Sequence, residues 1–139
     1  YTHSGSKPCR LAAAGEHAIG ISFVFRGAKL IKKGAPLELI LPEEGIGWEV
    51  EASGILKTSK KIEAAKKLID WHISPAAMAV FNDYLPILAI PEIAKPVPHF
   101  PENTIEKMID NDFGWAADNR KRILGEWQKR YDTKSEPKG

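Results

Sequence analysis

Three short runs in this 139-residue chain carry residue types able to hold a small polar molecule. The first is Thr2-His3-Ser4-Gly5-Ser6-Lys7-Pro8, where hydroxyls and a glycine lead into a helix start. The first N–H groups of a helix have no partners within it, and that end carries a partial positive charge. Such a run suits a phosphate, a phosphonate or a carboxylate. Ser6 can equally serve only as the helix cap. The second run is Gly47-Trp48-Glu49-Val50-Glu51. An indole face receives a cation and a carboxylate pairs with an ammonium; the alternative is a core Trp48 beside two solvated carboxylates. Strand alternation puts Glu49 and Glu51 on one face, unlike the opposed carboxylates of a glycosidase. The third run is Ser22-Phe23-Val24-Phe25-Arg26, at a strand-to-helix junction. Ligands in open α/β sheets lie beyond the strands' carboxyl ends, which makes Ser22 and Arg26 candidate polar contacts and leaves Phe25 to the core. The candidate ligand-binding set is therefore Ser4, Gly5, Ser6, Ser22, Arg26, Trp48 and Glu49.

Other chemistries find no support. G-x-S-x-G, G-x-G-x-x-G, the P-loop and H-E-x-x-H are all missing, so no catalytic residue is assigned. His3, His17, His72 and His99 are scattered without metal-ligand spacing, and Cys9 is the sole cysteine, so neither a metal site, a cofactor nor an internal disulfide is expected. Twenty basic residues against eighteen acidic leave +2, which argues against a dedicated nucleic-acid binder. The lysines of 60–73 and the cluster Asn119-Arg120-Lys121-Arg122 read as solvated helix faces. No apolar run approaches the roughly 20 residues that span a membrane. With 43% hydrophobic and 27% charged residues the chain is globular. Tyr1-Thr2-His3-Ser4 has neither an initiating Met nor signal-peptide regions, as expected of a mature product or a fragment.

The elements that must position these runs alternate between strand and helix. A helix is expected over 8–16, ended by Gly15, and another over 25–33, stopped by Gly34. Strands are expected at 18–23, 37–41, 48–56 and 84–90. Ile62, Ala65, Leu68, Ile69 and His72 share one face of a helix, with lysines opposite. Ser74-Pro75 caps and opens the next helix, which reaches Phe81. Proline-rich 91–101 reads as a connection, and 115–131 as a long helix with Ala116, Arg120, Ile123, Leu124, Trp127 and Tyr131 along one stripe. The polar tail from Asp132 is expected to fray. The fold class is α/β.

Glu44-Gly45-Ile46-Gly47-Trp48-Glu49-Val50-Glu51-Ala52, Ile55-Leu56-Lys57, Glu63-Ala64-Ala65-Lys66-Lys67-Leu68-Ile69-Asp70 and Ser74-Pro75-Ala76-Ala77 resemble, in order, the periplasmic solute-binding proteins of ABC importers. Ser4-Gly5-Ser6-Lys7-Pro8, Ala12-Ala13-Ala14-Gly15-Glu16-His17-Ala18-Ile19-Gly20-Ile21 and Asp112-Phe113-Gly114-Trp115-Ala116-Ala117-Asp118-Asn119-Arg120 are similar too, as is Glu126-Trp127. The nearest likeness is to the ferric iron and 2-aminoethylphosphonate group. The resemblance implies the C-terminal half of a two-lobed fold of the type 2 periplasmic-binding-protein kind. Residues 1–47 then belong to the second ligand-binding lobe, 48–98 to a hinge-crossing strand and part of the first lobe, and 99–139 to C-terminal helices returning to the second. Ferric-binding members carry adjacent tyrosines where this chain has Phe23-Val24-Phe25-Arg26. A zwitterion resembling 2-aminoethylphosphonate is therefore preferred over Fe³⁺, with Ser4 and Ser6 near the anion and Trp48 or Glu49 near the amine.

The resemblance thus implies a non-enzymatic, periplasmic solute-binding component that delivers to a membrane permease of an ABC importer, functioning by binding and lobe closure. A lone half leaves sheet edges uncovered, so a partner fragment, a dimer or strand exchange is expected. An effector-binding domain of a transcription regulator is the alternative, and it requires a helix-turn-helix upstream. An enzyme acting on phosphorylated metabolites is a third reading, and no catalytic constellation suggests it.

Overall fold

Five helices account for most of the regular structure in the computed structural model of the chain, which describes residues 1–137. They are α1 (Lys7–Ala13), α2 (Val24–Ile31), α3 (Ile62–His72), α4 (Pro75–Phe81) and α5 (Phe113–Tyr131). Single 3₁₀ turns lie at Pro91–Ile93, Glu102–Thr104 and Asp132–Lys134.

The helix ends follow local chemistry. The carbonyls left over at the ends of α1 and α2 are closed by Schellman pairs. Gly15 and Glu16 donate to Ala12 and Leu11, and Gly34 and Ala35 donate to Ile31 and Leu30. Both glycines have positive φ, as this closure requires. Ser74 caps α4, accepting from the Ala77 amide at 3.3 Å, with Pro75 in the first position. Asp112 caps α5, accepting from the Trp115 amide at 2.8 Å, which starts that helix two residues before the sequence expectation. Ser6 departs from expectation: its side chain makes no capping bond and lies 3.2 Å from the Ser4 hydroxyl.

The buried apolar set is small. Cys9 of α1 packs with Gly27 and Ala28 of α2. Ala77 and Met78 of α4 lie near α3, where His72 meets Phe81 edge to face at 4.9 Å. Leu88 completes the set among the described residues, and Thr104 is buried as a polar residue. A folded 15.4 kDa monomer exposes about 7,200 Å², whereas this chain exposes 11380 Å².

Much of the excess lies on segments expected as strands. Residues 18–23, 37–41, 48–56 and 84–90 form no ladder among the described residues. A strand needs a neighbour for its N–H and C=O groups, and none of these segments faces one. Ile21 is 89% exposed and Ile19 81%, so the apolar side of 18–23 has little to pack on, whereas Leu37, Leu39 and Leu41 are half-buried and Leu39 lies against Gly27 of α2. The apolar stripe of α5 is also open at Ile123, Leu124 and Trp127, whereas on α3 only Leu68 of the stripe is exposed and Ile62, Ala65, Ile69 and His72 are half-buried.

One parallel bridge does form, between Ile46 and Met108. Ile46 donates to Lys107 at 2.8 Å and Ile109 donates to Ile46 at 3.1 Å. Gly45 makes the approach possible. Its φ is +111°, and a Cβ there would stand 2.8 Å from the Ile109 side chain and 3.1 Å from the Lys107 carbonyl. Gly45→Ala is expected to lower stability by about 1–3 kcal/mol through this strain, read as an earlier urea midpoint. The same variant should lose exchange protection at the Trp48 indole N–H, which is held just beyond the bridge.

Candidate functional site

The structure brings the early serines together. Ser4 and Ser6 are half-buried with their hydroxyls 3.2 Å apart, and Thr2 donates to the Ser4 carbonyl at 2.9 Å. The Lys7 amide also donates to that carbonyl, at 3.1 Å, folding residues 4–7 into a tight turn. Ser22 reaches back across the α1–α2 junction and donates to the Gly5 carbonyl. Gly5 lies flat against the Phe23 ring; a Cβ on it would be 3.8 Å from that ring's edge. Four of the sequence-predicted residues, Ser4, Gly5, Ser6 and Ser22, therefore form one polar cluster. The hydroxyl of Ser6 is engaged with Ser4 and not with the helix, so it remains able to turn toward a solute.

Arg26 stands near this cluster in sequence but is engaged elsewhere. Its guanidinium carbon lies 4.6 Å from the centre of the Phe25 ring, which itself stacks with Phe23 at 5.8 Å. Phe25, expected in the core, is instead a half-buried platform for this cation.

Trp48 is held at its indole N–H and at its backbone carbonyl. Its indole N–H donates to the Ile109 carbonyl at 2.7 Å, and its own carbonyl accepts from the Asn111 amide at 2.8 Å. Phe113 meets the indole edge to face at 5.1 Å. Any contact that Trp48 makes with a solute must therefore use the ring face and not the N–H. Glu49 is exposed and forms no ion pair among the described residues. No hydrogen bond or ring contact among the described residues joins the Ser4–Ser22 cluster to the Trp48 group.

The sequence did not point to Asn111 and Phe113 as partners of Trp48, and both flank Asp112, whose capping role the sequence reading also missed. It also gave no sign of Glu136. That carboxylate accepts from the His3 amide at 2.8 Å and from the Lys7 ammonium, placing it against the start of the serine turn. The Lys7 hydrogen bond, followed by the one from His3, holds the Glu136 carboxyl below the usual carboxylate range. A separate groove of about 280 Å³ lies between Lys32, Asn82, Asp83 and Lys95. It contains no sequence-predicted residue, and the Asn82 amide is consumed by Leu85 and Lys95.

Residues 4–114 match the family described as bacterial extracellular solute-binding protein. An uncharacterized protein of Haemophilus influenzae is 36% identical over 132 residues, covering 91% of this chain and 38% of its own length. The chain therefore spans well under half of that relative. No solved structure matches. No helix among the described residues is long and apolar enough to cross a membrane.

The Glu136 contact carries a pH dependence. Because its carboxyl is lowered in the folded chain, its contribution is present above the ordinary carboxylate range and is lost as pH falls through the lowered value. Facing it are Lys7 and His3, and Lys134 lies over the neighbouring Tyr131 ring. Acidification below the usual carboxylate range should speed exchange of the Glu136 amide, and Glu136→Gln should remove that pH step. An amide exchange rate that ignores pH beyond the intrinsic chemistry would contradict the assignment.

Proposed function

The chain belongs to the bacterial extracellular solute-binding proteins, and on that premise we propose that it is the C-terminal half of a two-lobed type 2 periplasmic-binding-protein-like α/β fold. It serves in the periplasm as part of the component that captures a small solute for an ABC importer. Residues 1–47 contribute to the second lobe, 48–98 cross the hinge into the first, and 99–139 return.

The solute we favour is a zwitterion like 2-aminoethylphosphonate. The observation that carries this is the hydroxyl cluster of Ser4, Ser6 and Ser22 around Gly5, in a turn closed by the Lys7 amide. Hydroxyl and amide donors suit a phosphonate oxygen set. The ring face of Trp48 and the exposed Glu49 carboxylate supply the chemistry for an ammonium at the other end. Ferric iron needs hard anionic oxygens, and the segment 19–26 offers no tyrosine phenolate for it. The mechanism is binding and lobe closure, with no bond made or broken.

The open apolar faces support the reading as a half. Ile19, Ile21, Phe23, Ile40 and Val50 stand exposed along extended backbone, as the surface of a sheet does before its other strands are added. A second copy or strand exchange is the substitute cover when those strands are missing. In light scattering the isolated chain is expected to self-associate; a compact monomer at every concentration would contradict that expectation.

Thermal-shift measurement with 2-aminoethylphosphonate, inorganic phosphate, spermidine and Fe³⁺ tests the solute. The aminophosphonate is expected to raise Tm, since a ligand at a hundred times its Kd stabilises by about 2.7 kcal/mol. Ser4→Ala with Ser6→Ala should weaken it about tenfold, on the order of 1.4 kcal/mol for one or two lost hydrogen bonds to a charged group. Stabilisation by Fe³⁺ alone would overturn the solute class.

A further inference from the structure

The C-terminal tail closes on the serine turn from 133 positions away in sequence. The Glu136 amide donates to the Tyr1 carbonyl and the His3 ring nitrogen Nε2 pairs with the Glu136 carbonyl, both at 2.8 Å. The two carboxylate oxygens are divided between the His3 amide and the Lys7 ammonium. Behind them the Tyr1 ring meets Trp127 at 5.0 Å and Tyr131 at 5.8 Å, so the end of α5 is drawn onto the same segment. A carboxylate of the chain itself thus takes an ammonium and an amide that flank Ser4 and Ser6. These are donors of the kind an oxyanion would use there. The Lys7 side chain is 38% exposed and that of Glu136 27%, so the pair meets water and is weak enough to exchange.

We propose that the C-terminal tail is a displaceable latch on the serine turn. The Glu136 carboxylate occupies Lys7 and the His3 amide, and an oxyanion arriving at Ser4 and Ser6 takes those donors and releases the tail. The idea rests on the reading that residues 4–6 receive the solute's anionic group. It adds a consequence: binding at the turn is coupled to freeing residues 134–136 and loosening the Tyr1–Trp127–Tyr131 contact. A bound solute is thereby reported at the end of α5, a surface distinct from the binding cluster.

The test is a titration of the wild-type chain and its Glu136→Gln variant with methylphosphonate, followed by NMR of the His3 and Glu136 amides. Sodium chloride at matched ionic strength is the control. A latch closed about nine-tenths of the time lowers apparent affinity about tenfold, so the variant should bind about tenfold tighter. In the wild type the Glu136 amide should move to a released position as methylphosphonate saturates. Equal affinity in the two proteins overturns the latch while leaving the binding turn intact. Absence of binding to either overturns both the latch and the turn. Release by sodium chloride alone also overturns the latch, because the pair would then be merely screened.

Discussion

A strand cannot stand alone, and most of what this chain presents follows from that constraint. Its extended segments alternate apolar and polar residues as half-buried strands do, yet they form no strand ladder among the described residues, and Ile19, Ile21 and Val50 stand exposed. A 15.4 kDa monomer should expose about 7,200 Å², and the chain exposes 11380 Å². The surplus of about 4,000 Å² is the scale of a large obligate interface. A surface scatter of apolar residues would need no explanation; a surplus of this size along alternating segments does. The match to an extracellular solute-binding family, and the 38% coverage of a longer relative, supply one explanation in the same terms.

Against that open background two of the connections between distant parts of the chain reach the neighbourhood of the candidate residues. The first is the bridge at Ile46 and Met108, which Gly45 permits and which seats Trp48 between Ile109, Asn111 and Phe113. It joins the segment entering the expected hinge crossing to the one leading into α5. The second is the tail contact at Glu136, which joins the end of α5 to the serine turn. The first seats the candidate residue Trp48, and the second holds His3 and Lys7, which flank the candidates Ser4 and Ser6. The candidate site is thus built from segments that sequence separates widely, and α5 is the element common to both attachments.

How much of this could be read from residues alone divides along the range of the interactions. Gly15, Gly34 and Ser74-Pro75 fixed their helix ends because the bonds concerned span five residues or fewer. The start of α5 shifted to Phe113 since Asp112, a nearer cap, competes successfully with the apolar stripe as the boundary signal. Of the two readings that its type allows for Ser6, ligand contact and helix cap, the cap does not form, because its hydroxyl meets Ser4. Strand ladders failed to form because pattern specifies a face and not a partner. Ser4, Gly5, Ser6 and Ser22 were legible as candidates, and their meeting at Gly5 follows from the α1–α2 junction. Asn111 and Glu136 were not, for their partners lie more than sixty positions away and neither type is marked by local spacing.

The proposed binding cluster, the proposed hinge crossing and the uncovered faces form one account only if the extended segments are strands awaiting neighbours. Amide hydrogen exchange at residues 18–23 and 37–41 tests this most directly, compared between the isolated chain and a form carrying the rest of the family's length. The account predicts free exchange in the isolated chain and strong protection in the longer form, with Ile19, Ile21 and Ile40 among the protected amides. Equal exchange in the two forms, whether both free or both protected, would contradict it.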